Sequence, residues 1–124
     1  MEREKTLGCL ERVNKRFMTN FEHFYKNKKI LITGNTGFKG SWLTQILTNF
    51  QAKIVGLSLP PPTDPNLFQI LSLDRLIKTY YGDIRDRSFV RKVIKKVKPE
   101  IIFHLAAQPL VRDSYDDPLY TLET

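Results

Sequence analysis

The fold of this 124-residue chain is decided by the stretch Lys29-Ile30-Leu31-Ile32-Thr33-Gly34-Asn35-Thr36-Gly37-Phe38-Lys39-Gly40-Ser41-Trp42-Leu43. It begins with a short apolar run, which is typical of a strand that is buried on both faces. Three glycines follow at intervals of three residues, and an apolar pattern with helical spacing comes next. The stretch therefore predicts a strand, a turn and a helix. The side of that helix expected to be buried carries Trp42, Leu43, Ile46, Leu47 and Phe50.

Each of the three glycines has its own role in the predicted turn. Gly34 lets the chain turn sharply off the strand, where a positive φ is needed. Gly37 leaves no Cβ between the backbone and a phosphate, and Gly40 lets the first helical turn lie close to the strand. The helix start offers unpaired N–H groups and a partial positive charge. These features predict a dinucleotide site, and the flanking strand and helix argue against glycines that merely happen to precede a helix.

The composition is that of an ordinary soluble globular protein, with 41% hydrophobic and 27% charged residues. No apolar run reaches membrane-spanning length, and the start lacks the pattern of a signal peptide. The single cysteine, Cys9, has no His or Cys neighbour, so neither an internal disulfide nor a metal site is expected. We therefore expect a cytoplasmic protein that has no membrane partner.

The net charge of +7 is concentrated in residues 85–98, which carry seven basic residues and one acidic residue. A basic cluster of this kind raises the question of nucleic-acid binding. Apolar residues recur there at helical spacing, so the basic residues form the solvated face of an amphipathic helix. No aromatic side chains alternate with them to stack on bases, and nucleic acid is therefore not an expected partner.

Strands and helices alternate along the chain. Strands are predicted at residues 30–32, 53–59, 78–82 and 101–105. Asn66, Asp86 and Asp117 are placed to cap helices, and prolines make residues 60–65 a loop. The pattern indicates an α/β fold, a Rossmann-like doubly wound parallel sheet with strand order 3-2-1-4, and we expect it to be incomplete.

Two units are expected along the chain. Residues 1–20 are predicted to be a poorly ordered extension, and residues 21–124 a partial dinucleotide-binding Rossmann domain. Within the second unit, residues 21–25 are expected to form a short turn that covers the edge of the sheet.

Four stretches are expected to meet at the carboxyl ends of the strands, where ligands bind in such sheets. The predicted cofactor-binding residues are Gly34, Asn35, Thr36, Gly37, Phe38, Lys39, Gly40, Ser58, Asp83, Ile84, Leu105, Ala106, Ala107 and Gln108. Ser58 stands where the dinucleotide fingerprint has an acidic residue, so charge at this position does not choose between NAD and NADP. His104, within an apolar strand, is expected to be a core histidine.

Several of these motifs together resemble the CDP-glucose 4,6-dehydratase family. The glycine spacing alone resembles the extended short-chain dehydrogenase/reductase superfamily, and the resemblance runs from about Phe21 to the last residue. The motifs that carry it are Gly34-Asn35-Thr36-Gly37-Phe38-Lys39-Gly40-Ser41-Trp42-Leu43, Ser58-Leu59-Pro60-Pro61-Pro62-Thr63 with Leu67-Phe68, Gly82-Asp83-Ile84-Arg85-Asp86, and Phe103-His104-Leu105-Ala106-Ala107-Gln108-Pro109-Leu110-Val111-Arg112.

The resemblance implies NAD as the cofactor and CDP-glucose as the substrate. Bound NAD takes hydride from C4 of the sugar, water is lost across C5–C6, and the hydride returns to C6. It also implies that Asp83 accepts from the adenine amino group while Ile84 packs on the ring; a plain turn or cap is the alternative for Asp83. Arg112 and Tyr115, on a loop after strand four, are assigned to the substrate, although Arg112 is equally well explained as a surface arginine.

No catalytic residue is assigned to this chain. The family's Tyr-x-x-x-Lys helix follows strand five, and the one such spacing here, Tyr25 to Lys29, precedes strand one. We therefore expect an amino-terminal fragment that is inactive alone. A stand-alone nucleotide-binding or partner-binding module, which uses its exposed strand edge to dock on a full-length relative, is an alternative. A fragment of another nucleotide-sugar epimerase or dehydratase is a further one. A homo-oligomer is a separate expectation.

Overall fold

The computed structural model describes residues 18–124 of the chain. Helix α1 runs through residues 18–25 and is followed by β1 (Lys29–Thr33), α2 (Phe38–Asn49), β2 (Lys53–Ser58), α3 (Leu67–Ile70), α4 (Leu73–Leu76), β3 (Lys78–Tyr81), α5 (Arg87–Val97), β4 (Ile101–His104), α6 (Val111–Asp116) and α7 (Pro118–Glu123). The predicted extension lies outside the described residues as far as residue 17, and residues 18–20 belong to α1.

The four strands form one parallel sheet in the order β3-β2-β1-β4. This confirms the predicted α/β class and strand order. The central strand β1 pairs with β2 on one side and β4 on the other, so that Ile30 lies beside Ile54 and Ile101. Among the described residues, β3 and β4 are the two edges of the sheet.

The core lies on both faces of β1, as the apolar run predicts. Ile30 and Ile32 face α2 and pack with Leu47 and Ile54. Leu31 points to the opposite face, where it packs with Leu57 of β2 and Val93 of α5. Successive residues of a strand point to opposite faces, so three consecutive apolar residues supply both layers of the core.

Helix α2 buries only part of the predicted apolar side: Leu47 lies in the core, and Leu43 and Phe50 pack against it. Its buried residues are Gly40, Ser41, Thr44 and Leu47, whereas Trp42 and Ile46 are 46% and 45% exposed. The helix lies so close to the strand that a Cβ on Gly40 would be 2.1 Å from the carbonyl oxygen of Gly34. Small side chains fit this contact and large ones do not, so the prediction for Trp42 and Ile46 is wrong.

Residues 21–25 form part of helix α1 rather than the predicted short turn. The ring of Tyr25 stacks on Phe50, with 6.3 Å between centroids, and lies 6.4 Å from the ring of Phe103. Aromatic packing against the core on the α2 side therefore holds α1 in place.

The predicted helix caps are confirmed. The side chain of Asn66 accepts from the backbone N–H of Gln69, and that of Asp117 accepts from Tyr120. Asp86 accepts from the N–H groups of Ser88 and Phe89 at the start of α5. These bonds, above all the one from Phe89, hold the pKa of Asp86 below its ordinary value.

Glu100 joins the amino ends of β1 and β4. Its carboxylate accepts from Lys28 Nζ at 2.8 Å and from the backbone N–H of Lys29 at 2.9 Å. The Lys28 ammonium is the main reason that the pKa of Glu100 lies below its ordinary value.

Acidification is expected to destabilise the fold, and Glu100→Gln is expected to weaken this dependence. Because folding lowers the pKa of Glu100, its contribution is fully present above the unfolded pKa of about 4 and is lost as pH falls through the folded value. Urea unfolding between neutral pH and pH 3 measures the slope. Glu22→Gln is the control, since the Glu22 side chain makes no hydrogen bond or ion pair among residues 18–124. An unchanged slope in Glu100→Gln would contradict the assignment.

Candidate functional site

The glycine turn brings β1, α2 and β4 together at the carboxyl ends of the strands. Gly34 has a φ of +70°, and a Cβ there would lie 2.8 Å from the backbone of Leu105 and Ala106. A side chain is therefore excluded by both conformation and space. Gly40 packs on the opposite side of the turn, against the Gly34 carbonyl.

The start of α2 has free backbone donors. Gly37 precedes the helix in an extended conformation, and no side chain caps it, in contrast to α3, α5 and α7. A Cβ on Gly37 would approach nothing more closely than the Gly34 carbonyl at 3.4 Å, so the space in front of the turn is open. Lys39 lies in the first turn and is exposed. A cation is unfavourable at the positive end of a bare helix and favourable beside a bound phosphate.

Thr33 is a site residue that the sequence did not identify. Its hydroxyl oxygen accepts from the N–H groups of Leu105 at 3.0 Å and Ala106 at 3.2 Å. The same oxygen lies 2.8 Å from Nδ1 of His104. With both lone pairs engaged, the hydroxyl donates its proton to His104 Nδ1. A hydroxyl residue directly before the first glycine is the signal that could have revealed this link between β1 and β4.

His104 is not the core histidine that the apolar run predicts. It is exposed, as is Ile102 two residues earlier, because little of the described chain covers this face of the edge strand β4.

Asn35 turns its side chain into the fold instead of toward a ligand. The residue is fully buried, and Nδ2 donates to the Thr79 hydroxyl of β3 at 2.9 Å. The carboxamide occupies the space above Gly56, where a Cβ would lie 2.4 Å from it, and Oδ1 has no hydrogen-bond partner. Only the backbone of Asn35 remains available to a cofactor.

Thr36 joins the glycine turn to the end of β2. Its hydroxyl lies 2.7 Å from that of Ser58 and donates to the carbonyl of Leu59 at 2.9 Å. Both residues are buried. The predicted site residues Thr36 and Ser58 are thus brought into direct contact.

Asp83 is engaged by a neighbouring arginine. Arg85 donates to both carboxylate oxygens, with Nη2 2.7 Å from Oδ2 and Nε 3.1 Å from Oδ1. These bonds lower the pKa of Asp83 below its ordinary value. The guanidinium also lies 4.5 Å from the ring centroid of Tyr120 and 3.7 Å from a Glu123 oxygen in α7. Ile84, between the paired residues, is half-buried.

The residues that follow β4 lie in two different environments. Leu105 and Ala106 contact Gly34 through their backbone, whereas Ala107 is exposed. The carboxamide of Gln108 bonds to the backbone of Leu110 and to the Thr121 hydroxyl. It therefore fastens the start of α6 to α7 and is not free in the present arrangement.

Arg112 and Tyr115 lie on helix α6 and not on the predicted loop. Both side chains are exposed, and neither makes a hydrogen bond or ion pair within residues 18–124. The hydroxyl of Ser114 and the backbone of Leu110 supply local bonds that make this segment helical. The structure thus places both predicted substrate residues on the surface.

Tyr25 and Lys29 lie at the amino end of β1, opposite the glycine turn. Tyr25 is packed against Phe50, and Lys29 begins the strand. A groove of about 480 Å³ near this end is lined by Lys29, Lys53 and Lys96 among others, and no predicted site residue borders it. None of the helices in residues 18–124 has the length and apolar character to span a bilayer. The same residues form no cluster of three His, Cys, Asp or Glu side chains that could hold a metal ion.

The sheet order, the glycine turn and the free amides of α2 define a Rossmann-like domain of the short-chain dehydrogenase/reductase class. Solved structures of this class have a similar fold. An epimerase from Methanothermobacter thermautotrophicus superposes on 85% of this chain and 30% of its own, with a TM-score of 0.67 and 28% identity. UDP-glucose 4-epimerase from Brucella ovis, solved in complex with NAD, covers 74% of this chain and 26% of its own, with a TM-score of 0.59 and 25% identity.

A family model described as GDP-mannose 4,6 dehydratase matches residues 31–124, and the chain belongs to this family of nucleotide-sugar 4,6-dehydratases. The CDP-glucose 4,6-dehydratase of Salmonella typhimurium is 48% identical over 103 residues. That match covers 83% of this chain and 29% of the Salmonella protein. The chain thus spans less than a third of the length of this relative.

Replacing Arg85 by methionine is expected to raise the pKa of Asp83 toward its ordinary value. The reason is that Arg85 supplies the side-chain bonds that stabilise the carboxylate. The measurement is a side-chain carboxyl titration by NMR. Arg87→Met, which removes a nearby arginine that does not bond to Asp83, is the control. A titration of Asp83 that is the same in Arg85→Met and in the unchanged chain would be inconsistent with this pairing.

Proposed function

We propose that residues 21–124 are the NAD-binding portion of a CDP-glucose 4,6-dehydratase. The observation that carries the proposal is the 48% identity to the Salmonella enzyme across most of this chain. NAD as the cofactor is supported by the NAD complex of the Brucella epimerase, which has the same fold. Because the chain covers a small share of these proteins, the activity is proposed for a longer protein that contains it.

The residues present fit a dinucleotide. The free amides at the start of α2 would bind the pyrophosphate, which the missing Cβ of Gly37 allows to approach the backbone. Ser58, at the end of β2, would face the adenosine ribose, and the backbone of Leu105–Ala107 would run beside the second ribose. When bound, NAD would supply a hydride acceptor for the sugar. The chain's own contribution is to hold the dinucleotide across the strand ends.

Asp83 and Ile84 are proposed to receive the adenine. The Asp83 carboxylate is occupied by Arg85, so the adenine amino group would have to replace part of that pairing. Arg85 is more than a third exposed and can exchange its bonds for water, which makes this replacement feasible.

CDP-glucose is the substrate that we favour. Arg112 and Tyr115 are exposed on α6, where a guanidinium and a phenol can contact the diphosphate and the base of a sugar nucleotide. GDP-mannose is the second candidate, because the family model bears that name. The identity to the Salmonella enzyme is the reason for the preference.

The catalytic base is not assigned to this chain. Proton removal from the C4 hydroxyl needs a tyrosine whose pKa is lowered by a lysine one turn away on a helix. The Tyr25–Lys29 pair is at the wrong end of the sheet. We infer that the chain holds the cofactor but does not by itself carry out the reaction.

Gly37→Ala is expected to weaken NAD binding by about tenfold or more while the fold stays intact. The new Cβ would enter open space, and the backbone conformation of Gly37 suits alanine. Gly40→Ala is the contrast, since its Cβ would collide with the Gly34 carbonyl and destabilise the chain by about 1–3 kcal/mol. Calorimetric titration and thermal unfolding separate the two effects. The absence of saturable NAD binding in the unchanged chain would refute the proposed cofactor role.

Incubation with CDP-glucose and NAD is expected to yield no product from the 124-residue chain. The positive control is the protein isolated by pull-down from its native cell. Its intact mass shows whether it is longer than this chain. If it is longer, we expect it to convert CDP-glucose to a product lighter by one water, and to leave GDP-mannose unchanged. Conversion by the short chain, or a preference for GDP-mannose, would contradict the proposal.

A further inference from the structure

The hydroxyls of Thr36 and Ser58 form a short chain of hydrogen bonds, called here the relay, in which the donor of each bond is fixed. Thr36 Oγ1 donates to the carbonyl oxygen of Leu59, which has no proton to give in return. A threonine hydroxyl carries one proton, so the bond between Thr36 and Ser58 must use the proton of Ser58. Ser58 therefore donates to Thr36, and Thr36 donates to Leu59.

The surroundings hold this direction in place. Thr36 and Ser58 are 5% and 7% exposed, so the hydrogen bond between them lies largely out of bulk water. Leu59 precedes three prolines, which restrict its backbone and keep its carbonyl in position. The Ser58 carbonyl accepts from the N–H of Gly82 at 3.0 Å, which fixes the end of β2 against the segment that follows β3.

The relay leaves Ser58 Oγ with lone pairs but no proton to donate. A ligand group that bonds to this oxygen must supply the hydrogen itself. No lysine or arginine within residues 18–124 makes a hydrogen bond or ion pair with Ser58 or Thr36. The oxygen is thus matched to a hydroxyl and mismatched to a phosphate ester, which presents negatively charged acceptors.

We propose that Thr36 is a positioning residue that determines cofactor specificity by taking the proton of Ser58. The inference rests on the proposed NAD site, in which the end of β2 faces the adenosine ribose. NAD offers a 2′-hydroxyl there and can donate to Ser58. NADP carries a 2′-phosphate at the same position. The phosphate oxygens accept hydrogen bonds, and Ser58 Oγ has no proton to donate to them. A neutral serine thereby favours NAD over NADP, a preference for which other dinucleotide-binding folds use a carboxylate.

The test compares NAD and NADP affinities by calorimetry in the full chain and three variants. Thr36→Val keeps the shape of the side chain but frees the Ser58 proton. Thr36→Ser retains the hydroxyl and should restore the behaviour of the unchanged chain. Ser58→Ala removes the acceptor. We expect the unchanged chain to favour NAD, and the ratio of the two affinities to fall about tenfold in Thr36→Val and in Ser58→Ala but not in Thr36→Ser.

The outcomes separate the two proposals. An unchanged ratio in Thr36→Val, or an equal loss of affinity for both dinucleotides, would overturn the role of Thr36 and leave the NAD site standing. A preference of the unchanged chain for NADP would also overturn it. If circular dichroism shows that Thr36→Val does not fold, Ser58→Ala decides, and a retained preference in that variant refutes the inference. Binding of neither dinucleotide by the unchanged chain would refute the proposed function itself.

Discussion

The close approach of Gly40 to the carbonyl of Gly34 is the constraint on which the site depends. It draws the first turn of α2 onto the end of β1 and leaves no room for a large side chain at this point of contact. Ser41 and Thr44 fill the interface, and Trp42 turns outward. The same closeness points the uncapped amides of α2 across the strand ends, where an anion can meet them.

The turn is also tied to its three neighbouring strands by neutral side chains. Thr33 binds the backbone after β4, Thr36 binds Ser58 at the end of β2, and Asn35 passes over Gly56 to bind Thr79 of β3. Buried hydroxyls and amides need only hydrogen-bond partners, whereas buried charges would lose much more solvation. These neutral hydrogen bonds therefore shape the proposed cofactor site without adding charge that would compete with a phosphate.

The charged groups of the site lie at its exposed margin. Arg85 holds Asp83 and reaches Tyr120 and Glu123 of α7, so the proposed adenine position and the last helix share one arginine. Exposed ion pairs are weak and exchange readily. The margin can therefore rearrange when a ligand binds, while the buried hydroxyl ties keep the glycine turn in place. The chain belongs to the nucleotide-sugar 4,6-dehydratase family, and its proposed dinucleotide site combines buried hydrogen bonds with exposed polar groups.

From the sequence alone we could predict the α/β class, the strand order, the glycine turn and the caps at Asn66, Asp86 and Asp117. The turn and the caps follow from residues close together in the chain, and the strand order follows from the right-handed connections of alternating strands and helices. Four other features became visible only in the folded chain: the outward position of Trp42, the inward side chain of Asn35, the exposure of His104 and the pairing of Asp83. These depend on which distant backbone or side chain occupies the adjacent space. Periodicity shows that a helix has an apolar side, but the distance between α2 and β1 decides which residues fit beneath it.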